Sequence, residues 1–207
     1  MEKAASEGGN CMNIVYHEKG KVFHLFNDSV SYIFMVLPHG GLGSLYYGKA
    51  LRDREGFEHI FERVHRGMTA CVFADTRSYS LDAIRQELPT YGSSDFRRPA
   101  LNVLQENGSR ILDLQYAGYR VMDGKPKLAG LPATYAEAET EAKTLIVEVK
   151  DELTGLRAEL LYTIFAEGGA IARSVRYINE GKEVLHLQKV MSMSIDLPDA
   201  QYDWLEL

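Results

Sequence analysis

Residues 145–164 read LIVEVKDELTGLRAELLYTI, and this stretch decides the fold class. On either side of its centre, every second side chain is apolar: Leu145, Val147, Val149, Leu156, Ala158, Leu160, Tyr162 and Ile164. A period of two is typical of a strand that turns one face toward a core. The intervening Asp151–Gly155 is a short connection with turn-forming residues, so the stretch predicts an antiparallel hairpin.

The same period of two recurs from Val22 onward. It predicts further strands over residues 22–26, 31–37, 41–47, 101–105, 111–116, 171–177, 184–190 and 191–197. The turn formers between them include Asn27-Asp28, Asn107-Gly108-Ser109 and residues 179–182, and Pro198 would end the last strand. Because Asn-Gly readily takes positive φ angles, Asn107 is expected in a hairpin turn rather than as a glycosylation acceptor.

These strands predict an all-β fold in two layers, because a single sheet would leave one apolar face in water. We therefore expect a large antiparallel β-sandwich, or supersandwich, with few short helices. Phe57–Val64 could form two turns of helix that end near Gly67, whereas Ala133–Thr144 lacks an apolar stripe and is expected to be an exposed connection. The predicted division is a flexible N-terminal segment at residues 1–13 and one β-sandwich domain at residues 14–207.

Composition excludes several classes of function. The formal charge of −6, from 29 acidic and 23 basic side chains, offers no basic field to phosphates and argues against a nucleic-acid partner. Cys11 and Cys71 are too few and too far apart for a disulfide framework, and we expect reduced thiols. Residues 1–11 lack the pattern of a secretory signal, and no run of about 18 apolar residues occurs, so we expect a cytoplasmic protein without a membrane partner.

The six histidines do not predict a metal site. They stand at positions 17, 24, 39, 59, 65 and 186, without the close spacing of zinc ligands or a paired motif. His24 and His186 fall in strand patterns, where they would fill the core or the surface. Gly40-Gly41-Leu42-Gly43 precedes a strand pattern instead of a helix and so lacks the dipole of a phosphate loop. We therefore expect no metal and no other cofactor.

The segment Leu81–Ala100 is dense in charge, aromatic rings and turn formers, and we expect it at a domain or subunit contact. Its Glu87 and Asp95 could be the two carboxylates of a glycosidase, which stand about 5 to 5.5 Å apart in retaining enzymes. Carboxylates beside arginines more often pair with a guanidinium, so the structural interpretation is favoured. The expected partners of these carboxylates are Arg85, Arg97 and Arg98.

Six tyrosines suggest another kind of function: Tyr46, Tyr47, Tyr91, Tyr116, Tyr119 and Tyr135. Sugars stack on aromatic rings, so the chain could be a free-standing carbohydrate-binding module. Tyrosine is also common at half-buried strand positions, where it only packs. A third alternative, a complete enzyme such as a sugar mutarotase, needs a histidine and a glutamate that face each other in a concave sheet, and no spacing establishes that arrangement.

A series of motifs in chain order covers the chain from about Ile14 to Leu207. They are Phe23-His24-Leu25 with Ser31-Tyr32, Leu45-Tyr46-Tyr47-Gly48-Lys49, Ser80-Leu81-Asp82 with Gln86-Glu87-Leu88-Pro89, Tyr91-Gly92 with Asp95-Phe96-Arg97 and Pro99-Ala100, Gly124-Lys125-Pro126, Leu131-Pro132-Ala133-Thr134-Tyr135, Glu141 with Thr144-Leu145, Arg173-Ser174 and Ser192-Met193-Ser194. Together they resemble the amino-terminal region of bacterial alpha-galactosidases of glycoside hydrolase family 36.

The resemblance implies a large β-sandwich that precedes a catalytic (β/α)8 barrel. The catalytic aspartates of the family lie in that barrel, so we expect no catalytic residue in this chain and no activity from these 207 residues alone. The barrel is expected to continue beyond Leu207. The parent enzyme is expected to hydrolyse terminal alpha-galactosides such as melibiose and raffinose with retention of configuration.

The resemblance also implies a homotetramer in which a loop of this domain reaches the substrate pocket of a neighbouring subunit. The reaching arginine of the family corresponds to Arg77, whose guanidinium fork could bind two sugar hydroxyls. A family aspartate about twelve positions earlier falls on His65, which can accept one hydrogen bond but carries no negative charge. Arg77 and His65 are therefore the predicted substrate-binding residues, and the structural alternative pairs Arg77 with Asp75 or Asp82.

Overall fold

The computed structural model describes residues 12–65, 72–74, 76–92, 98–130 and 133–196. In these ranges it contains ten strands: β1 (Asn13–His17), β2 (Val22–Phe26), β3 (Val30–Val36), β4 (Leu42–Lys49), β5 (Leu101–Leu104), β6 (Gln115–Asp123), β7 (Ala142–Lys150), β8 (Leu156–Phe165), β9 (Ile171–Asn179) and β10 (His186–Val190). Helix is limited there to single 3₁₀ turns at Phe57–Ile60 and Glu139–Glu141. The predicted all-β class with few short helices is confirmed.

The strands form two antiparallel four-stranded sheets and one additional pair. The first sheet has the order β1-β2-β3-β4, the second has the order β6-β7-β8-β9, and β10 pairs with β5. The predicted hairpin at residues 145–164 is present as β7 and β8, with Leu145 opposite Tyr162 and Val149 opposite Ala158. Each four-stranded sheet therefore follows the chain from strand to neighbouring strand.

The main core lies between the two four-stranded sheets. Its buried side chains come from alternate positions of β2, β3, β7 and β8: Phe23, Leu25, Tyr32, Phe34, Val36, Leu145, Val147, Val149, Ala158, Leu160, Tyr162 and Ile164. The rings of Phe34 and Tyr162 stack across the two layers, with their centroids 4.7 Å apart. The predicted face-to-face packing of sheets is thus confirmed by the contacts between them.

The two sheets differ in what covers their outer faces. On the first sheet, Val22, Ile33 and Leu45 form a second core with Phe57, which belongs to the connection after β4. Strands β2 and β3 are therefore buried on both faces, and their sequences are almost continuously apolar. The outer face of the second sheet instead carries ion pairs among the strands, such as those of Arg120 with Glu148 and Glu159.

Two predicted strands take different places in the structure. Residues 184–190 were expected to return along the preceding strand, but β10 pairs with β5, in which Leu101 and Val103 are fully buried. The strand expected at 191–197 is absent from residues 191–196, although the Met191 N–H still donates to the carbonyl of Ala100 at 2.9 Å. A period of two identifies the face that each side chain occupies, but not the strand that will pair with it.

Local structure corrects other expectations. The turn at Asn107-Gly108 is present, with Gly108 at φ 83°, yet the next strand begins only at Gln115 and pairs with β7. The helix expected over Phe57–Val64 is a single 3₁₀ turn, because Phe61 is already extended. Strand β1, at the edge of the first sheet, was not predicted.

Two further expectations concern the ends of the chain and the membrane. Only Met12 and Asn13 of the predicted flexible segment at residues 1–13 are described, so its flexibility stays a prediction, as does the single domain at residues 14–207. In the part of the chain that the structure covers, no helix has the length and apolar character needed to cross a membrane.

Candidate functional site

The long connection between β4 and β5 holds both predicted substrate-binding residues. Arg77 is exposed and lies in a turn that is closed by the Tyr79 N–H, which donates to the carbonyl of Thr76 at 3.2 Å. Among the described residues it has no hydrogen bond and no ion pair, and the alternative pairing with Asp82 is not observed. Asp75 lies outside the described ranges. The Arg77 guanidinium thus has no partner within the described residues.

Tyr79 anchors this turn to the sandwich. Its side chain is buried, its ring contacts Phe73 at a centroid distance of 5.4 Å, and its hydroxyl lies 2.7 Å from Nδ1 of His39, in the connection between β3 and β4. Burial raises the pKa of Tyr79 to about 12, so the hydroxyl keeps its proton and can donate it. Burial also lowers the pKa of His39, which favours the neutral imidazole that accepts this bond. The exposed Arg77 therefore projects from a turn with a buried anchor.

His65 is also exposed, and it directly precedes a stretch of the chain that lies outside the described ranges. No described contact joins it to Arg77 or to any other side chain. The structure therefore shows an accessible imidazole at this position without bringing the two predicted residues together.

Glu87, a candidate catalytic carboxylate, is fully buried. The hydroxyls of Tyr32 and Tyr162 donate to its carboxylate, from 2.8 and 2.9 Å, and Ser44 also donates. Arg173 completes the cluster, with Nη1 at 2.5 Å from the carboxylate and Nη2 at 2.8 Å from the Glu87 carbonyl. A carboxylate enclosed in this way cannot reach a sugar, so its role is structural.

The structural role of Glu87 was correctly favoured, but its ion-pair partner is none of the arginines expected from the sequence. The ion pair forms with Arg173 on β9, while Arg85 lies 3.9 Å from Glu62. Asp95 and Arg97 lie outside the described residues. The Glu87–Arg173 pair joins the connection after β4 to the second sheet, and no short-range sequence signal could have identified a partner 86 residues away.

A cleft of about 370 Å³ opens beside Arg173. Its lining combines residues from several of the motifs noted in the sequence, among them Lys125, Pro126, Thr134, Arg173, Ser174 and Ser192. The Arg173 Nε is buried and has no hydrogen-bond partner in the described ranges. The cleft shows that motifs far apart in sequence meet at one surface, which sequence reasoning did not anticipate.

Tyr47 and Tyr119, two of the six tyrosines, pack against neighbouring aromatic rings. Tyr119 packs against Tyr16 and Phe23, with centroids 4.8 and 5.1 Å away, and Tyr47 packs against Tyr32 at 5.7 Å. These contacts favour the packing role of the rings over the carbohydrate-binding module.

One group of side chains has the composition of a metal site. His17, His24 and Asp53 place three ligand atoms within 4.8 Å of one another, on the outer face of the first sheet. Sequence reasoning missed this group because the three positions follow no ligand spacing.

The described residues thus form an antiparallel β-sandwich in which the candidate catalytic acid, Glu87, is buried in an ion pair with Arg173. More particularly, the chain belongs to the glycosyl hydrolase family 36 N-terminal domains, whose family model matches residues 40–207. The family membership expected from the motifs is thereby confirmed.

Similar proteins agree with this membership. The chain is 43% identical to alpha-galactosidase AgaA of Geobacillus stearothermophilus over 196 residues. The aligned region covers 95% of this chain and 27% of that protein. It is 36% identical to alpha-galactosidase Mel36A of Lactobacillus acidophilus, over 94% of this chain and 26% of the relative. The chain thus spans about a quarter of the length of these relatives.

Solved structures show the same fold. The alpha-galactosidase AgaB of Geobacillus stearothermophilus superposes with a TM-score of 0.83 at 42% identity, over 90% of this chain and 25% of that one. The alpha-galactosidase of Lactobacillus brevis gives a TM-score of 0.85 at 35% identity with the same coverage. A variant of AgaA was solved in complex with raffinose, and it gives a TM-score of 0.81 at 44% identity, over 86% of this chain and 25% of that one.

Proposed function

We propose that this chain is the non-catalytic N-terminal β-sandwich of an alpha-galactosidase. The parent enzyme would hydrolyse terminal alpha-galactosides such as melibiose and raffinose with retention of configuration, with its catalytic aspartates in a barrel domain. The observation that carries the proposal is the match of 95% of this chain to 27% of an alpha-galactosidase at 43% identity. The burial of Glu87 supports it, because that carboxylate has no access to a substrate.

The second part of the proposal concerns the substrate pocket. Arg77 would bind hydroxyls of an alpha-galactoside in the pocket of a neighbouring subunit, and His65 would accept a further hydrogen bond there. Support comes from the exposure of both side chains and from the buried Tyr79 that anchors the turn of Arg77. A guanidinium suits this task because its fixed fork presents two parallel donors.

This role requires an assembled enzyme. We propose a cytoplasmic homotetramer in which the sandwich contacts its own barrel, with the segment Leu81–Ala100 at a domain or subunit contact. The partners are therefore the barrel, the other subunits and alpha-galactoside oligosaccharides, with no metal or other cofactor in the hydrolytic reaction.

The proposal is tested by comparing the full-length parent with the 207-residue chain. Galactose release from melibiose and raffinose is measured for both, and NMR identifies the anomer that forms first. We expect turnover with alpha-galactose as the first product from the parent, and none from the 207-residue chain, whose β-structure is checked by circular dichroism. Turnover by the folded 207-residue chain, or an inactive parent, would contradict the proposal.

A further inference from the structure

Two strands of the first sheet bring two histidines to one face. His17 ends β1 and pairs with Val22 of β2, while His24 lies two residues beyond Val22 on the same strand. Positions two apart share a face of a sheet, and directly paired residues share it too, so the two imidazoles are diagonal neighbours. This is the outer face of the sheet, which the connection after β4 covers.

Asp53 in that connection lies between the two imidazoles. Its Oδ1 is 2.9 Å from Nε2 of His17 and 2.7 Å from Nδ1 of His24. Both histidines are buried, whereas the aspartate is 29% exposed, so a path from solvent leads to its carboxylate. The site thus combines two imidazoles held by strands β1 and β2 with a carboxylate that is open to water.

The remaining nitrogen of each imidazole is also held by an oxygen. Nδ1 of His17 lies 3.3 Å from Glu55, and Nε2 of His24 lies 2.9 Å from the hydroxyl of Ser31. The Ser31 hydroxyl is itself positioned by the Leu51 N–H, which donates to it at 2.9 Å. Metal-bound histidines characteristically use their second nitrogen in this way, because such outer contacts fix the ring orientation and the tautomer.

The distances suit a small divalent ion. Zinc bonds to imidazole nitrogen and carboxylate oxygen measure about 2.0–2.2 Å, which separates tetrahedral ligand atoms by about 3.3 Å. The nitrogen–oxygen distances of 2.7 and 2.9 Å would need to open by a few tenths of an ångström, and the two imidazole nitrogens, which lie within 4.8 Å of each other, would need to take the same separation. Two imidazoles and one carboxylate favour zinc over magnesium or calcium, which prefer oxygen ligands alone.

We propose that His17, His24 and Asp53 form a binding site for one Zn²⁺ ion, with water as the fourth ligand. Glu55 and Ser31 orient the two imidazoles from outside the coordination shell. The ion would tie the connection after β4 to β1 and β2, next to the second core around Phe57. The site is separate from the proposed role of Arg77 and does not depend on it.

The test uses the full-length protein, stripped with a chelator and returned to chelator-free buffer at pH 7.5, where imidazole binds metals in its neutral form. Zn²⁺ is titrated by calorimetry, and Co²⁺ is added separately to follow the visible absorption of the nitrogen- and oxygen-bound ion. We expect the wild type to bind one ion more than Asp53→Asn and to show a Co²⁺ band that this variant lacks. Glu55→Gln should weaken zinc binding by about 10-fold or more.

Asp53→Asn decides the question, because its amide oxygen can still accept hydrogen bonds from both imidazoles and so preserves the fold. His17→Gln removes a second of the three proposed zinc ligands. His186→Gln is the matched control, since His186 is an exposed histidine on β10 and should bind zinc as the wild type does. Equal stoichiometry and affinity in the wild type and Asp53→Asn would overturn the proposal, and the cluster would then be a hydrogen-bonded contact only.

Discussion

Arg77 is one of the two residues through which this domain is proposed to bind a substrate. In the full-length enzyme, Arg77→Ala should raise KM for raffinose about tenfold, equivalent to about 1.4 kcal/mol, with a smaller change in kcat, because the lost contacts bind a sugar away from the reacting bond. Steady-state kinetics on raffinose measure both constants. Arg110→Ala is the control, as Arg110 is exposed and has no ion pair within the described ranges. A KM unchanged from wild type would remove Arg77 from the pocket.

Glu87 shows how one residue can hold two parts of the molecule together. Glu87→Gln would leave the guanidinium of Arg173 buried without a counter-charge, and breaking such a pair costs about 3–5 kcal/mol of the free energy of unfolding. Urea unfolding of the 207-residue chain measures the loss. The control is Glu62→Gln, because Glu62 is exposed and lies 3.9 Å from Arg85, where the expected loss is below about 1 kcal/mol. Equal losses in the two variants would refute the structural role of Glu87.

At the scale of an element, the outer face of the second sheet should make stability depend on acid pH. Glu159 on β8 is buried, which by itself raises its pKa, but hydrogen bonds from Arg120 and Arg157 outweigh this and lower the pKa below its ordinary value of 4.5. Because the folded pKa is the lower one, the contribution is complete above the unfolded value and is lost as the pH falls through the folded value.

The melting temperature should therefore fall less in Glu159→Gln than in the wild type when the pH is lowered from neutral to below 4.5. Thermal melting across that pH range measures the difference. Glu167→Gln serves for comparison, because Glu167 is exposed and has no ion pair among the described side chains. Parallel pH profiles for the wild type and Glu159→Gln would show that the strand contacts of Glu159 do not carry this dependence.

The same elements show what sequence patterns could and could not predict. Alternation is local, so β2, β3, β8 and β9 were identified within two residues of their ends, whereas β7 begins three residues before the predicted start at Leu145. The pairing of β10 with β5 was not, because it joins segments about 80 residues apart whose partners no short-range pattern encodes. The substrate-binding role of Arg77 stays a prediction, whereas the Glu87–Arg173 pair and the group of His17, His24 and Asp53 depend on tertiary contacts that no local pattern encodes.

At the scale of the whole molecule, the proposed barrel partner implies a surface that the 207-residue chain leaves uncovered. Large apolar side chains are exposed just before, along and after β10: Val184, Leu187, Val190, Met191, Met193 and Ile195. Exposed apolar side chains concentrated in one segment of the chain promote association. We expect the 207-residue chain to self-associate with increasing concentration, as measured by sedimentation velocity.

Leu187→Lys combined with Val190→Lys should shift the 207-residue chain toward the monomer, because a charge is costly to bury in an apolar contact. Leu153→Lys is the control, since Leu153 is 91% exposed in the tight turn between β7 and β8 and lies on neither β10 nor the segment after it. In the full-length enzyme the same double substitution should weaken the contact between sandwich and barrel and lower the melting temperature, while Leu153→Lys should not. The surface would contact neither a barrel nor another copy if two results were found together. These are a wild-type 207-residue chain that stays monomeric and a full-length double variant with an unchanged melting temperature.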